Sequence, residues 1–290
     1  MKTRAFTRIL VATDASEASQ AAVSIATNFA LASGAAIDVV HVWNLELHHR
    51  HGVWDVETRA DGRELIDSTV DRLQGLGVKA SGEILHADNS HIAAAVAEAA
   101  RRFESDLIVV GSRGLSDWQS LLTTQSVSHQ LLTKVACPVL VARGPSPSAE
   151  HPAQRVLLAI AGGDDVEPAV NAAVAAASAP GSAALVLHVP IVIFGAQGFA
   201  YVESEEEMQA SVARATALLK DAGVAVSSVV AAHGPVAETV IDAASNWGAD
   251  IIVIGSSRMG DLGSLVLGSV MHGLLHSSDR PVLVAERVSR

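Results

Sequence analysis

The residues of this chain best placed for chemistry lie in a glycine-containing loop. An aliphatic run, Asp106-Leu107-Ile108-Val109-Val110, leads into Gly111-Ser112-Arg113-Gly114, and a helical pattern follows over roughly 121–134. Glycine at a strand end permits a tight turn and lets main-chain N–H groups approach an anion with no Cβ in the way. The helix N-terminus beyond adds unpaired N–H donors and the positive end of a dipole. Such a loop can cradle phosphate, with Arg113 neutralising charge; the same spacing also serves as a plain strand-to-helix turn with a solvated arginine. Other chemistries lack their residues. The sequence holds no Ser–His–Asp spacing, no His-Glu-x-x-His and no Walker A loop with its lysine. His48-His49-Arg50-His51, with His41 upstream, invites a metal reading, but zinc sites want defined spacing on rigid elements, so a solvated loop is expected. His129 and His272 follow the loop at equivalent places and are expected to pack on helix surfaces. The single cysteine, Cys137, forbids an intrachain disulfide and reads as a buried, inert thiol. Glu203-Ser204-Glu205-Glu206-Glu207 reads as a helix start, where carboxylates complement the dipole; a docking surface for a basic partner is the alternative.

The elements that must position that loop occur twice. Residues 8–14 align with 155–161 and 39–42 with 186–189, both at an offset of 147. Residues 106–112 align with 250–256 at 144, and 137–142 with 280–285 at 143. Four blocks in one order with so small a drift indicate two diverged copies of one ancestor. The Pro- and Ser-rich stretch 144–152 between them reads as an exposed linker. The expected domains are therefore 1–144 and 154–290, joined by 145–153.

In each copy short aliphatic runs alternate with amphipathic segments. The runs predict strands over 8–13, 36–42, 81–86, 107–111 and 138–142, and then 155–160, 183–189, 225–231, 250–255 and 281–285. Helices are predicted over 17–33, 58–76, 90–103 and 121–134, and over 167–178, 203–222, 235–247 and 267–277. Strand–helix alternation gives βαβ units, hence a parallel sheet with right-handed crossovers. The fold class is thus α/β, two open doubly wound domains in tandem, with the ligand site beyond the carboxyl ends of the strands.

Composition narrows the function. Hydrophobic residues make up 49% and charged residues 18%, which excludes a disordered chain. Aromatics are only 3%, so the core must be built from Val, Leu, Ile and Ala. The net charge of −11 argues against non-specific binding to nucleic acid or an anionic membrane. It is uneven: 13 basic and 16 acidic residues over 1–144 leave −3, while 7 and 15 over 145–290 leave −8. No apolar stretch approaches the roughly 20 residues of a spanning helix. The N-terminus meets Asp14 after a short apolar run and makes a poor signal peptide, so a cytoplasmic protein is expected.

Taken together, VATDAS at 11–16, HV at 41–42, DLIVVGSRG at 106–114 and CPVLVAR at 137–143 resemble the universal stress protein family, and the resemblance covers nearly all of both halves. It implies Rossmann-like, adenine nucleotide alpha hydrolase-like domains. Each has a five-stranded sheet of order 3-2-1-4-5 and about four helices. It implies pairing through the last strands, 138–142 and 281–285, as an intramolecular pseudo-dimer, and leaves a homodimer open. It implies binding of ATP, with or without Mg²⁺, in at least one copy, and a stress-response role exerted through a protein partner rather than catalysis. A nucleotide-independent scaffold and, more remotely, a slow ATPase are the alternatives.

The family's ATP-binding members carry an Asp after strand one and G-x-x-G, nine residues, then G-S/T. The first copy keeps Ala12-Thr13-Asp14, Gly111, Arg113 and Gly114, but Gln125 takes the later glycine position ahead of Ser126. The second keeps Gly255-Ser256 and Gly268-Ser269-Val270, but Arg258 stands for Gly114 and Ala161 for Asp14. Val42 and Val189 occupy the strand-two position whose backbone faces adenine in the family. The resemblance thus favours the adenosine side in the first copy and the phosphate side in the second.

Overall fold

The computed structural model of the chain describes residues 5–43, 48–50, 53–55, 58–88, 90–112, 127–142, 151–161, 166–190, 192–195, 198–230, 234–255 and 264–285. The backbone divides into two compact units, Phe6–His151 and the chain from Pro152 onward.

In the first unit, β1 (Arg8–Ala12), β2 (Ala36–Trp43), β5 (Lys79–His86), β6 (Leu107–Gly111) and β7 (Val139–Ala142) form a parallel sheet in the order β5-β2-β1-β6-β7. In the second, β8 (Arg155–Ile160), β9 (Ala183–His188), β12 (Ala225–Val230), β13 (Ile251–Ile254) and β14 (Val282–Val284) repeat it as β12-β9-β8-β13-β14. Both are the 3-2-1-4-5 order. The helices are α1 (Glu17–Ser33), α2 (Arg59–Gly75), α3 (Ile92–Arg102) and α4 (Val127–Lys134), then α5 (Glu167–Ala176), α6 (Glu205–Asp221), α7 (Val236–Trp247) and α8 (Ser264–Ser277).

The aliphatic runs become strands because both faces of a doubly wound sheet are covered. Ile9, Leu10 and Val11 are fully buried, as are Val156, Leu157 and Leu158 at the same places in the second unit. Helices packed there present alanine: Ala21, Ala22, Ala26 and Ala30 on α1, and Ala169, Ala172, Ala173 and Ala176 on α5. Such short side chains let helix and sheet approach closely, which explains how so few aromatics suffice.

The aspartate that opens the fourth-strand motif acts at the amino end of the sheet. Asp106 accepts hydrogen bonds from Thr7 N at 2.8 Å, Thr7 Oγ1 at 2.7 Å and Arg8 N at 2.9 Å. Asp250 does the same for Gln154 N at 2.8 Å and Arg155 N at 2.9 Å. Two residues earlier, Glu104 and Gly248 both take a left-handed backbone, with φ of 53° and 70°. The duplication read from the sequence thus extends to hydrogen bonds and dihedrals.

Two features depart from the sequence reading. Antiparallel hairpins follow the second strand of each unit: β3 (His48–Arg50) with β4 (Val53–Asp55), and β10 (Val192–Gly195) with β11 (Gly198–Tyr201). Of the histidine-rich segment expected as a loop, His48, His49 and Arg50 lie in a strand, and His51 lies outside the described residues. Gly52, and Gly195 with Gly198, were the available sequence signal. The acidic run caps as expected, but through Glu207. Ser204 and Glu207 form a capping box on α6, and Thr58 and Asp61 form its counterpart on α2. The Thr58 hydroxyl and amide hold the Asp61 carboxyl below the usual carboxylate range, and the Ser204 amide and hydroxyl do the same for Glu207. The stability these lowered values add is present above the unfolded carboxylate range and is lost as pH falls through the folded one.

Asp106→Ala should speed amide hydrogen exchange in β1, and Asp250→Ala in β8, each without affecting the other unit. Charge-assisted bonds to backbone donors are worth about 1–3 kcal/mol here, or about one to two decades in exchange rate. Unchanged exchange in β1 of the Asp106 variant would refute the clamp.

Candidate functional site

Strand order reverses beside the first strand of each unit. From β1 the chain crosses to β2 on one side; from β6 it crosses to β7 on the other. The crevice between the carboxyl ends of β1 and β6 is where such folds bind ligands. It contains Ala12, Thr13, Asp14 and Gly111.

The β1–α1 turn is ordered by small hydroxyls. Asp14 Oδ1 accepts from Ser16 N at 3.1 Å and from Ser16 Oγ at 2.5 Å. Ser16 caps α1, its Oγ accepting from Ser19 N at 3.3 Å. Ser19 Oγ donates to Ser16 O at 2.9 Å and accepts from Asp14 N and from Thr13 Oγ1, each at 3.3 Å. Between them Ala15 is held at φ 63°, a region costly for a residue with a Cβ. The strain is paired with a half-buried carboxylate at the mouth of the crevice.

Gly111 has a packing reason to be glycine. A Cβ there would lie 2.5 Å from Ala18 C and 2.6 Å from Ser19 N, in the backbone of the first turn of α1. At Gly255 the contact is looser: among the described residues its Cβ would meet the Cβ of Ala169, at 3.6 Å. Residues 162–165, which precede α5, lie outside the described residues.

The second strands also differ. β2 pairs with β1 only as far as Ala12↔Val40, yet continues beside β5 to Trp43↔His86. It outruns β1 by three residues. Val40 O accepts from Thr13 N at 2.9 Å, so it faces β1. Val42, two residues on, presents its N–H and C=O to the same side, where the register supplies no β1 residue. His41 is buried, donates from Nδ1 to Thr13 O at 2.8 Å and packs against Gly62 of α2. Trp43 and His86 meet edge to face, 5.2 Å between centroids, beside Val42. In the second unit β9 stops at His188, level with Ile160. Val189 is buried and Pro190 follows. His188 lies 3.0 Å from the Glu203 carboxylate, so the strand-two histidine faces an acid there and a carbonyl in the first unit.

Comparison with known proteins matches this geometry to one family. The universal stress protein family matches over residues 5–143 and again over 152–286. The chain belongs to the universal stress protein family. A universal stress protein of Mycobacterium tuberculosis is 31% identical over 191 residues, and that match spans 63% of each chain. One from Bacillus subtilis is 28% identical over 151 residues, covering 99% of that protein but 48% of this chain, as expected of a single unit against a tandem pair. A solved universal stress protein from Archaeoglobus fulgidus superposes with a TM-score of 0.72 at 21% identity, over 98% of this chain and 97% of that one. Its likeness concerns the fold.

Within this universal stress fold the carboxyl end of the first sheet carries a peptide edge beyond β1 at Val42, a carboxylate at Asp14 and the Trp43–His86 ring pair. The second unit differs at three points: Ala161 stands where the first has Asp14, β9 ends level with β8, and Pro190 has no N–H. On the phosphate side, Arg113, Gly114, Ser126, Ser256 and Arg258 lie outside the described residues. Gly268 and Ser269 do not open their helix as expected. α8 begins at Ser264, which puts both in its second turn. There main-chain N–H groups are committed to carbonyls four residues back, and only the first four of a helix are available to an anion. Val270 follows them, half-buried. Sequence reasoning missed the Ser16–Ser19 pair and the overrun of β2. Ser16 before a helical pattern was a readable capping signal; strand length was not readable.

Gly111→Ala should destabilise the first unit by about 1–3 kcal/mol, because α1 must shift, while Gly255→Ala should stay within about 0.5 kcal/mol. Urea midpoints read by near-ultraviolet circular dichroism compare them; equal losses would dismiss the close approach of Gly111 to α1.

Proposed function

We propose that this chain is a non-catalytic, cytoplasmic stress-response protein that binds an adenine nucleotide at the carboxyl end of the first sheet and acts through a protein partner. The observation that carries the reading is the overrun of β2: Val42 turns a donor and an acceptor toward a crevice whose other wall ends in Asp14. A purine edge of alternating donor and acceptor complements such a peptide, and a carboxylate complements a ribose hydroxyl. The phosphates would extend toward Gly111 and 113–126, with Arg113, Gly114 and Ser126 as their candidate contacts. The second unit keeps Gly255, Ser256, Arg258, Gly268, Ser269 and Val270 as candidates for a weaker or vestigial site around Val189. Residues 145–153 serve as the linker between domains 1–144 and 154–290. The last strands, 138–142 and 281–285, each end their own sheet order with aliphatic residues. Such edges call for a partner strand, so mutual pairing as a pseudo-dimer is the arrangement we favour.

A nucleotide-independent scaffold is the second reading. It is favoured by the structural reasons already found for two motif residues: Gly111 makes room for α1, and the Asp14 carboxylate holds Ser16. Both would persist in a decayed pocket.

Calorimetric titration with ATP and Mg²⁺ separates the readings. Saturable binding at micromolar to submillimolar ATP, weakened about tenfold by Asp14→Ala (1.4 kcal/mol), supports the first. No heat and no thermal shift up to millimolar ATP would leave the scaffold. Phosphate release above a no-protein blank, lost in the Asp14 variant, would instead make the chain an ATPase.

A further inference from the structure

The edge strand of the second sheet is left open. Among the described residues β12 pairs with β9 alone, so its outer row of N–H and C=O groups has no ladder partner. Its six residues, Ala-Val-Ser-Ser-Val-Val, carry no charge. Ala225, Ser227 and Ser228 are exposed, and Val229 is 44% exposed. The corresponding edge of the first unit is guarded. There the strand is β5, and the shared register sets Lys79 at the place of Ala225, Gly82 at that of Ser228 and Glu83 at that of Val229. Glu83 accepts from both terminal nitrogens of Arg102, at 3.1 and 2.8 Å. Charged residues on an edge block strand addition. α2 also sits directly on β5: a Cβ at Gly82 would lie 2.3 Å from Ile66 Cγ2. In the second unit α6 instead leaves a groove of about 360 Å³ beside Ser228, lined by Gln209, Ala213, Thr216, Ala217 and Lys220.

We propose that β12 and α6 form a self-complementary face that pairs two copies of this chain about a two-fold axis, β12 running antiparallel to β12 of the second copy. The stripe along α6 decides the occupant. Glu205 and Glu206, Gln209, Ala213, Thr216, Ala217 and Lys220 follow one another at helical spacing, so this side of α6 runs from acid at its start to base at its end. A two-fold axis reverses the stripe in the second copy. Centred on Ala213, it sets Lys220 against Glu205 and Glu206, all three exposed, and Thr216 against Gln209. Thr216 Oγ1 is enclosed and has no hydrogen-bond partner among the described residues; the Gln209 amide of the second copy supplies one. A strand from another protein would meet the same backbone edge but need not carry the reversed stripe.

The spacing agrees. Paired strands stand about 4.8 Å apart and α6 lies over β12 and β9, so the two α6 axes come about 10 Å apart, the distance of packed helices. Alanine at 213 and 217 admits that approach. On the strands, an axis through Ser228 opposes Val226 with Val230 and Ser227 with Val229, and no like charges meet. The pairing is independent of any nucleotide.

Sedimentation equilibrium of the full chain tests it. One strand and one helix face make a small interface, so wild type should dimerise reversibly at about 10–100 μM. Ser228→Lys, which opposes two like charges at the axis, should leave a monomer with an unchanged melting midpoint. Lys220→Glu should weaken association about tenfold, and adding Glu205→Lys and Glu206→Lys should restore it, a recovery that no folding defect can mimic. A monomeric wild type over this range would overturn the proposal and leave the edge to a strand of another protein. Association unchanged in Ser228→Lys, or no recovery in the charge-reversed triple variant, would equally overturn it.

Discussion

A carboxylate at the wrong end of the sheet decides where the site falls. The first strand of each domain lies between two neighbours, and its entry exposes main-chain donors that the ladder does not yet satisfy. Asp106 and Asp250 satisfy them from the adjacent strand. Two short charge-assisted bonds to successive N–H groups tolerate no slip in register. With the amino ends fixed, pairing runs Ile9↔Leu107 through Ala12↔Val110, and Ile251↔Val156 through Ile254↔Ala159. The carboxyl ends then come out level, and the crevice between them is a consequence. The aspartate of the most recognisable motif is therefore structural, although it is continuous in sequence with the glycine-containing segment at 111–114.

Most of the fold was legible because its causes are local. Aliphatic runs bounded by polar residues specify strands buried on both faces, and strand–helix alternation leaves only parallel sheets with right-handed crossovers. Repetition then gave each domain a second witness. Element limits were readable to within a few residues for the same reason. The hairpins after the second strands escaped because short pairs without a hydrophobic alternation leave only turn residues as a signal.

The site was less legible because its residues carry two meanings. Gly111 reads as an anion-facing glycine, but its missing Cβ faces α1. Asp14 reads as a ligand carboxylate, but it also holds Ser16 and a strained Ala15. Residue type alone could not separate these uses. The feature that best distinguishes the two domains, β2 running past β1 while β9 stops level with β8, has no residue of its own. It follows from which strand neighbours continue, a non-local quantity. The start of α8, three residues earlier than its pattern suggested, likewise moved Gly268 and Ser269 out of the first turn.

The two domains illustrate how a duplicated fold can keep its frame while its surfaces drift apart. The conserved part is the set of contacts on which register depends: the aspartate clamp, the left-handed residue before it and the capping boxes. A change in any of these would be felt across its whole sheet. The carboxyl ends are under looser constraint: α1 demands glycine at 111, but among the described residues nothing crowds Gly255 as closely. Position 161 holds alanine where its twin holds Asp14, and the sheet is kept in both. Each domain can therefore hold a ligand preference the other lacks. In this chain the divergence lies at the carboxyl ends: the first unit has a peptide edge beyond β1 and a carboxylate at Asp14, where the second has a strand ending level with its neighbour and Ala161.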